Sequence, residues 1–337
     1  MRGHVSTLAR WRILFFVVGG SLLAAPAAAQ WAPQRNVEIV AMSGPGGAND
    51  VIARAVQRVI QQQKLVDVPV MVTSKVGGGG VLAWTYLNQH AGDGAYLSIR
   101  PINLLTEHIL GASAITYRDV TPIAQLFDEY VAFSVRADSP IENARDLVRR
   151  IAADPGAVSF AVAASLGGAN HIATALAMKA AGADVRKLTF VVFTSGGQSV
   201  TAVMGGHVDV AVTPASGAAR QIQGGRLRVI ALSAPQRFGG ALSAVPTWKE
   251  NGVNSVFSSP RGVIGPKGMT GEQIAYWEGV LATVVQTEEW KADAQKNYWS
   301  PNFMKSADST RHLKARYDES RAVLTELGLA LTRKERR

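Results

Sequence analysis

Four short glycine-rich segments carry the residue types best suited to holding an anion. They are Ser43-Gly44-Pro45-Gly46-Gly47, Gly77-Gly78-Gly79-Gly80, Ser165-Leu166-Gly167-Gly168 and Thr194-Ser195-Gly196-Gly197. Each follows an apolar run and precedes a stretch with helical spacing. Glycine admits positive φ and lets a bound molecule approach without a Cβ in the way. The free N–H groups and the dipole at the start of the next helix favour negative charge. Phosphate and carboxylate both meet that description, but the phosphate signatures are missing. No loop ends in the Lys-Ser/Thr of a P-loop, and none reads G-x-G-x-x-G with an acidic residue about 20 positions on. Asp50, beside the first loop, would repel a dianion. It can accept from a ligand amine or hydroxyl, or cap the helix, and the two roles are compatible. The expected ligand is a small carboxylate.

Enzymatic constellations find little support. The chain has no cysteine, which removes disulfides, thiolate chemistry and Cys-based metal sites. None of the six histidines forms an H-x-H or H-x-x-x-H pair, so zinc is not expected. The Gly-x-Ser-x-Gly nucleophile elbow is absent. Ser165 and His171 stand close in sequence without a reason to face one another, and His171 and His207 read as surface or interfacial side chains. No catalytic residue, metal or cofactor is expected.

The elements that must position these loops alternate. Apolar runs at 37–42, 68–73, 95–99, 131–135, 158–163, 188–193, 208–213, 227–233 and 262–264 read as strands. Amphipathic helices are expected near 49–62, 81–89, 142–153, 169–181, 197–205 and 215–223, with a mainly helical tail from 270 to about 327. Such alternation implies α/β architecture with mostly parallel sheets flanked by helices. Gly46-Gly47-Ala48-Asn49 recurs as Gly167-Gly168-Ala169-Asn170, each time between an apolar strand and an amphipathic helix. Two equivalent lobes would place both turns at the carboxyl ends of their strands, where open α/β sheets bind ligands. Asn103 and Thr213, at later strand ends, are expected to read the far end of the ligand.

Residues 1–29 have the form of a cleavable export signal. Arg2, Arg10 and Arg12 precede an apolar run from Ile13 to Ala25, and Ala27-Ala28-Ala29 ends the segment. The run is shorter than the ~20 residues that cross a bilayer. The expectation is a soluble periplasmic protein whose core holds without disulfides. The formal net charge of +10 includes those three arginines and a basic C-terminal stretch, Arg333-Lys334-Glu335-Arg336-Arg337. Scattered basic residues on an exported chain do not point to nucleic acid, and a weak positive field helps to attract anions.

The loops also resemble a known family. Pro45-Gly46-Gly47-Ala48-Asn49-Asp50, followed by Ala53-Arg54, is similar to the P-G-G-x-x-D-x-x-A-R signature of the Bug-type substrate-binding proteins, the periplasmic receptors of tripartite tricarboxylate transporters. Gly77 to Gly80, Asp93-Gly94, Ser195-Gly196-Gly197, Gly205-Gly206-His207-Val208-Asp209, Leu227 to Ser233, Arg237 and Val245-Pro246-Thr247 fit further family segments in the same order. The chain departs from the family at Met42-Ser43-Gly44 and Ser74-Lys75-Val76.

The resemblance implies a two-lobed, Venus-flytrap, type II-like periplasmic-binding-protein fold without catalysis. One lobe would hold 30–136 with 256–337, and the other 137–255. It implies backbone-amide contacts to the ligand carboxylate from Ala48, Asn49, Asp50, Gly78 and Gly79, with Ser165, Asn170, Thr194 and Ser195 opposite. It further implies delivery, by a monomer, to membrane transporter subunits. An extracytoplasmic sensor for a signalling kinase is the alternative, and an exported enzyme a more distant one.

Overall fold

The computed structural model describes residues 31–331, apart from 164 and 223. The expected export signal and the basic C-terminal stretch lie outside the described residues. The first part of the chain runs β1 (Val37–Ala41), α1 (Ala48–Gln62), β2 (Val70–Ser74), α2 (Val81–Asn88), β3 (Tyr96–Arg100), α3 (Asn103–Ile109) and β4 (Val120–Arg136). Next come α4 (Ala144–Ala153), β5 (Ser159–Ala163), α5 (Ala169–Ala180), β6 (Thr189–Phe193), α6 (Gly196–Met204), β7 (Val210–Pro214), α7 (Ala215–Ile222) and β8 (Leu227–Leu232). The last part is β9 (Ser258–Pro266), α8 (Gly271–Gln286), α9 (Glu288–Asn297), β10 (Trp299–Lys305) and α10 (Ser306–Glu326). Among the described residues no helix is long and apolar enough to cross a membrane.

Two parallel three-stranded groups, β2-β1-β3 and β7-β5-β6, are joined through antiparallel strands into one curled, mixed sheet. This is the two-lobed α/β architecture expected, with more antiparallel pairing than the strand–helix alternation suggested. The junction is β4. Its residues 120–130 pair with β9, and 124–129 also pair with β10, whereas 131–136 pair with β7 and β8. One strand therefore belongs to both lobes, and its partners change between Tyr130 and Val131.

Apolar periodicity explains most of these elements. Ile52, Val56, Val59 and Ile60 of α1 form a buried stripe over β1 and β3, where Val37, Ile39, Leu97 and Ile99 are also buried. The opposite face carries α2, α3, α5 and α10 around Trp84, Leu104, Leu105, Ile172 and Leu313.

Three elements escape that reading. The first half of β4 carries Gln125, Asp128 and Glu129, which interrupt its apolar pattern. Glu129 is buried in an ion pair with Arg261 of β9, and Asp128 accepts from the Asn302 side-chain amide of β10. β10 lies within the stretch read as helical tail. Trp299 stacks on Phe127 at 4.5 Å between ring centroids, which anchors it to β4. The short helix α3 follows β3 directly, so Asn103 opens a helix instead of ending a strand.

Candidate functional site

The first glycine loop is closed by a side chain of the helix it feeds. Gly46 takes φ of 76°, and Gly47 precedes α1 in extended conformation without any side-chain cap. Asp50 reaches back instead. Its carboxylate accepts the Gly46 N–H at 2.8 Å and Arg54 Nε at 3.0 Å, while its own N–H donates to Ser43 Oγ at 3.1 Å. Asp50 is thus the third residue of the helix, not its cap, and its carboxylate is already engaged. Ala48, the first helical residue, is exposed. The Asn49 side chain beside it is buried, and its Oδ1 has no hydrogen-bond partner among the described residues.

The second loop has a backbone that glycine alone adopts readily. Gly77, Gly78, Gly79 and Gly80 have φ of 142°, 56°, 64° and 115°. The room left at Gly79 is used: a Cβ there would stand 2.3 Å from Oε1 of Glu107. Glu107, on α3, is 4% exposed. Its Oε1 accepts from Asn103 Nδ2 at 3.2 Å and from Ser165 Oγ at 2.8 Å, and Asn103 Nδ2 also reaches Ser165 Oγ at 3.3 Å. Gly79, Asn103, Glu107 and Ser165 therefore form one cluster. Its members come from the second loop, from α3 and from the third loop, which follows β5 of the other parallel group.

The third loop repeats the first. Gly167 has φ of 82°, and its N–H donates to His171 Nδ1 at 3.0 Å. The donor is a backbone N–H, so Nδ1 is unprotonated and the ring proton sits on Nε2. Burial pushes the His171 pKa down to about 4, which keeps the imidazole neutral. The surface reading of His171 is corrected: it is buried and packs edge-on against Phe190. Asn170, beside it, is buried as well.

The fourth loop is exposed. Ser195 Oγ accepts the Gln198 N–H and caps α6, while Thr194 donates through its N–H and Oγ1 to the Gln198 side-chain oxygen. Thr213, on β7, lies beneath them. Its Cγ2 would be 3.8 Å from a Cβ at Gly196, and its buried Oγ1 lacks a partner among the described residues.

Of the residues expected at a site, the hydrogen bonds join Asn103 to Ser165, and contact with Glu107 adds Gly79. Gly78 adjoins this cluster. Ala48, Asn49 and Asp50 gather at the start of α1, and Thr194, Ser195 and Thr213 around the start of α6. Glu107 was not anticipated. Its signal is a single acidic residue in the apolar stretch Leu104-Leu105-Thr106-Glu107-His108-Ile109 just after a strand. A surface pocket of about 400 Å³ lined by Trp31, Arg35, Asp93 and Gln273 includes none of the four loops. Among the described residues no group of three or more His, Asp or Glu could hold a metal ion.

The architecture and the paired loops define a two-lobed periplasmic-binding-protein fold. Solved structures share it. A Rhodopseudomonas palustris protein solved with adipate superposes with a TM-score of 0.79 at 21% identity, over 88% of this chain and 99% of that one. MatC from the same organism, with bound malate, gives 0.73 at 19% identity, over 87% and 99%. In sequence, Protein BugT of Bordetella pertussis is 28% identical over 260 residues, covering 76% of this chain and 77% of BugT. The family model described as Tripartite tricarboxylate transporter family receptor matches residues 52–329, and the chain belongs to that family of solute-binding receptors.

Proposed function

We propose that the protein is a periplasmic receptor that captures a small carboxylate between its lobes and delivers it to a membrane transporter of the tripartite tricarboxylate type. The observation that carries this reading is the Asn103–Glu107–Ser165 cluster, which ties α3 to the third loop beside the glycines of the second loop. The N–H groups opening α1, with Asn49 Oδ1 and Thr213 Oγ1, supply polar groups that a ligand can engage. Adipate and malate in the structurally similar proteins make dicarboxylates natural first probes. The lobes, 30–136 with 256–337 and 137–255, would rotate about the two crossovers between them, at the end of β4 near residue 136 and in the segment entering β9 near residue 256. Closure requires a ligand that touches both lobes, because one binding both states equally shifts nothing.

A thermal-shift screen of residues 30–337 against small carboxylates tests this. A ligand at a hundred times its Kd adds about 2.7 kcal/mol to stability, a clear rise in melting temperature. No rise with any acid, in protein shown by mass spectrometry to carry no ligand, would sink the reading.

A further inference from the structure

The cluster contains a charge that a plain dicarboxylate receptor does not need. Glu107 is buried against Gly79, and its Oε1 takes the side-chain donors of Asn103 and Ser165, two residues expected to contact the ligand. Among the described residues it forms no ion pair. A buried carboxylate held only by neutral donors is poorly compensated, and a cation brought to it gains a strong charge-assisted hydrogen bond. A second carboxylate brought to the same place would meet like charge in a medium of low dielectric.

We infer that Glu107 is the specificity-determining residue of the cleft and that the ligand is an aminocarboxylate. Its ammonium faces Glu107, and its carboxylate lies toward the N–H groups opening α1. The inference rests on the receptor reading above and narrows it. Leaving out the charge at Glu107 removes the discrimination, because a neutral amide there accepts from an ammonium weakly and no longer repels an anion.

The test is a set of matched probes that differ only in one end group: succinate against β-alanine, and adipate against δ-aminovalerate. Binding is measured by calorimetry on residues 30–337 and on the Glu107→Gln variant, whose fold is checked by circular dichroism. The wild-type protein is expected to prefer the amino member of at least one pair by roughly tenfold to a hundredfold, the worth of a hydrogen bond to a charged group. Glu107→Gln is expected to lose that preference by weakening the amino member and strengthening the diacid. Tighter wild-type binding of the diacids would overturn the assignment and leave the carboxylate receptor standing. The wild-type comparison decides this even if the variant does not fold. An unchanged preference in a folded variant would also overturn it. Silence from all four probes together with the wider acid panel would overturn the receptor reading and the assignment with it.

Discussion

The turns at Gly46–Asp50 and Gly167–His171 share one backbone and differ in what closes it. In both, the first glycine is left-handed, at 76° and 82°, and the second is extended, at −71°/161° and −69°/171°. In both, the N–H of the first glycine is accepted by the side chain four residues on. The first acceptor is a carboxylate braced by Arg54 from the solvent edge. The second is an imidazole kept neutral by burial alone. The geometry asks only for one acceptor at that position. The carboxylate is also paired with the half-exposed Arg54, whereas the neutral imidazole has no charge to pair. The surroundings differ too: Gly46 is exposed, while Gly167 is buried under Leu110.

Adding a methyl group at each first glycine probes that difference most strongly. A Cβ at Gly167 would stand 2.6 Å from Leu110 Cδ1, whereas one at Gly46 meets nothing within 4 Å. Gly167→Ala combines left-handed strain with overpacking and is expected to cost roughly 2–4 kcal/mol. Gly46→Ala bears only the strain, about 1–2 kcal/mol. Equal losses in urea unfolding would mean that Leu110 yields freely, and the contrast in packing would fail.

Removing the acceptors comes next. His171→Leu leaves the buried Gly167 N–H unpaired and is expected to cost about 1–3 kcal/mol at neutral pH. Acid gives a second handle on the same residue. An unfolded chain protonates His171 near 6.5 and the folded protein only near 4, so the unfolded state binds more protons in that window. His171 therefore costs nothing above pH 6.5. Below it, stability is lost by up to about 1.4 kcal/mol per pH unit until about pH 4. A stability–pH curve that keeps its full slope in His171→Leu would remove this residue as the cause.

Smaller effects are expected at the first turn. Asp50→Ala exposes the Gly46 N–H to water, which replaces the lost acceptor in part, and about 1 kcal/mol is expected. Arg54→Ala breaks an ion pair whose arginine is 51% exposed. Its cost is expected below about 1 kcal/mol and to shrink further in high salt. A larger loss for Arg54→Ala than for His171→Leu in the same unfolding series would reverse the comparison.

Much of the architecture was legible because local pattern and tertiary environment agree. Ile52, Val56, Val59 and Ile60 repeat at helical spacing, and that stripe is what α1 buries. The repeated Gly-Gly-Ala-Asn marked two equivalent strand–turn–helix units, and their dihedral angles match within about ten degrees. The first half of β4 was not legible, because its polar residues find partners far along the chain. Glu129 pairs with Arg261, 132 residues away. Trp299 is a strand residue because Phe127 lies beneath it, a contact that no local window contains. Glu107 escaped for the same reason: only the fold brings Ser165, 58 residues away, to its carboxylate.

The sequence by itself determined the alternation of strands and helices, the places where glycine permits left-handed turns, and the likeness of the two loop–helix units. These follow from side-chain periodicity and from the missing Cβ, which act over a few residues. Tertiary structure decided that β4 serves both lobes, that His171 stays neutral, and that a buried carboxylate stands between the glycine loops. Those outcomes depend on burial and on partners distant along the chain, and both exist only once the lobes have packed.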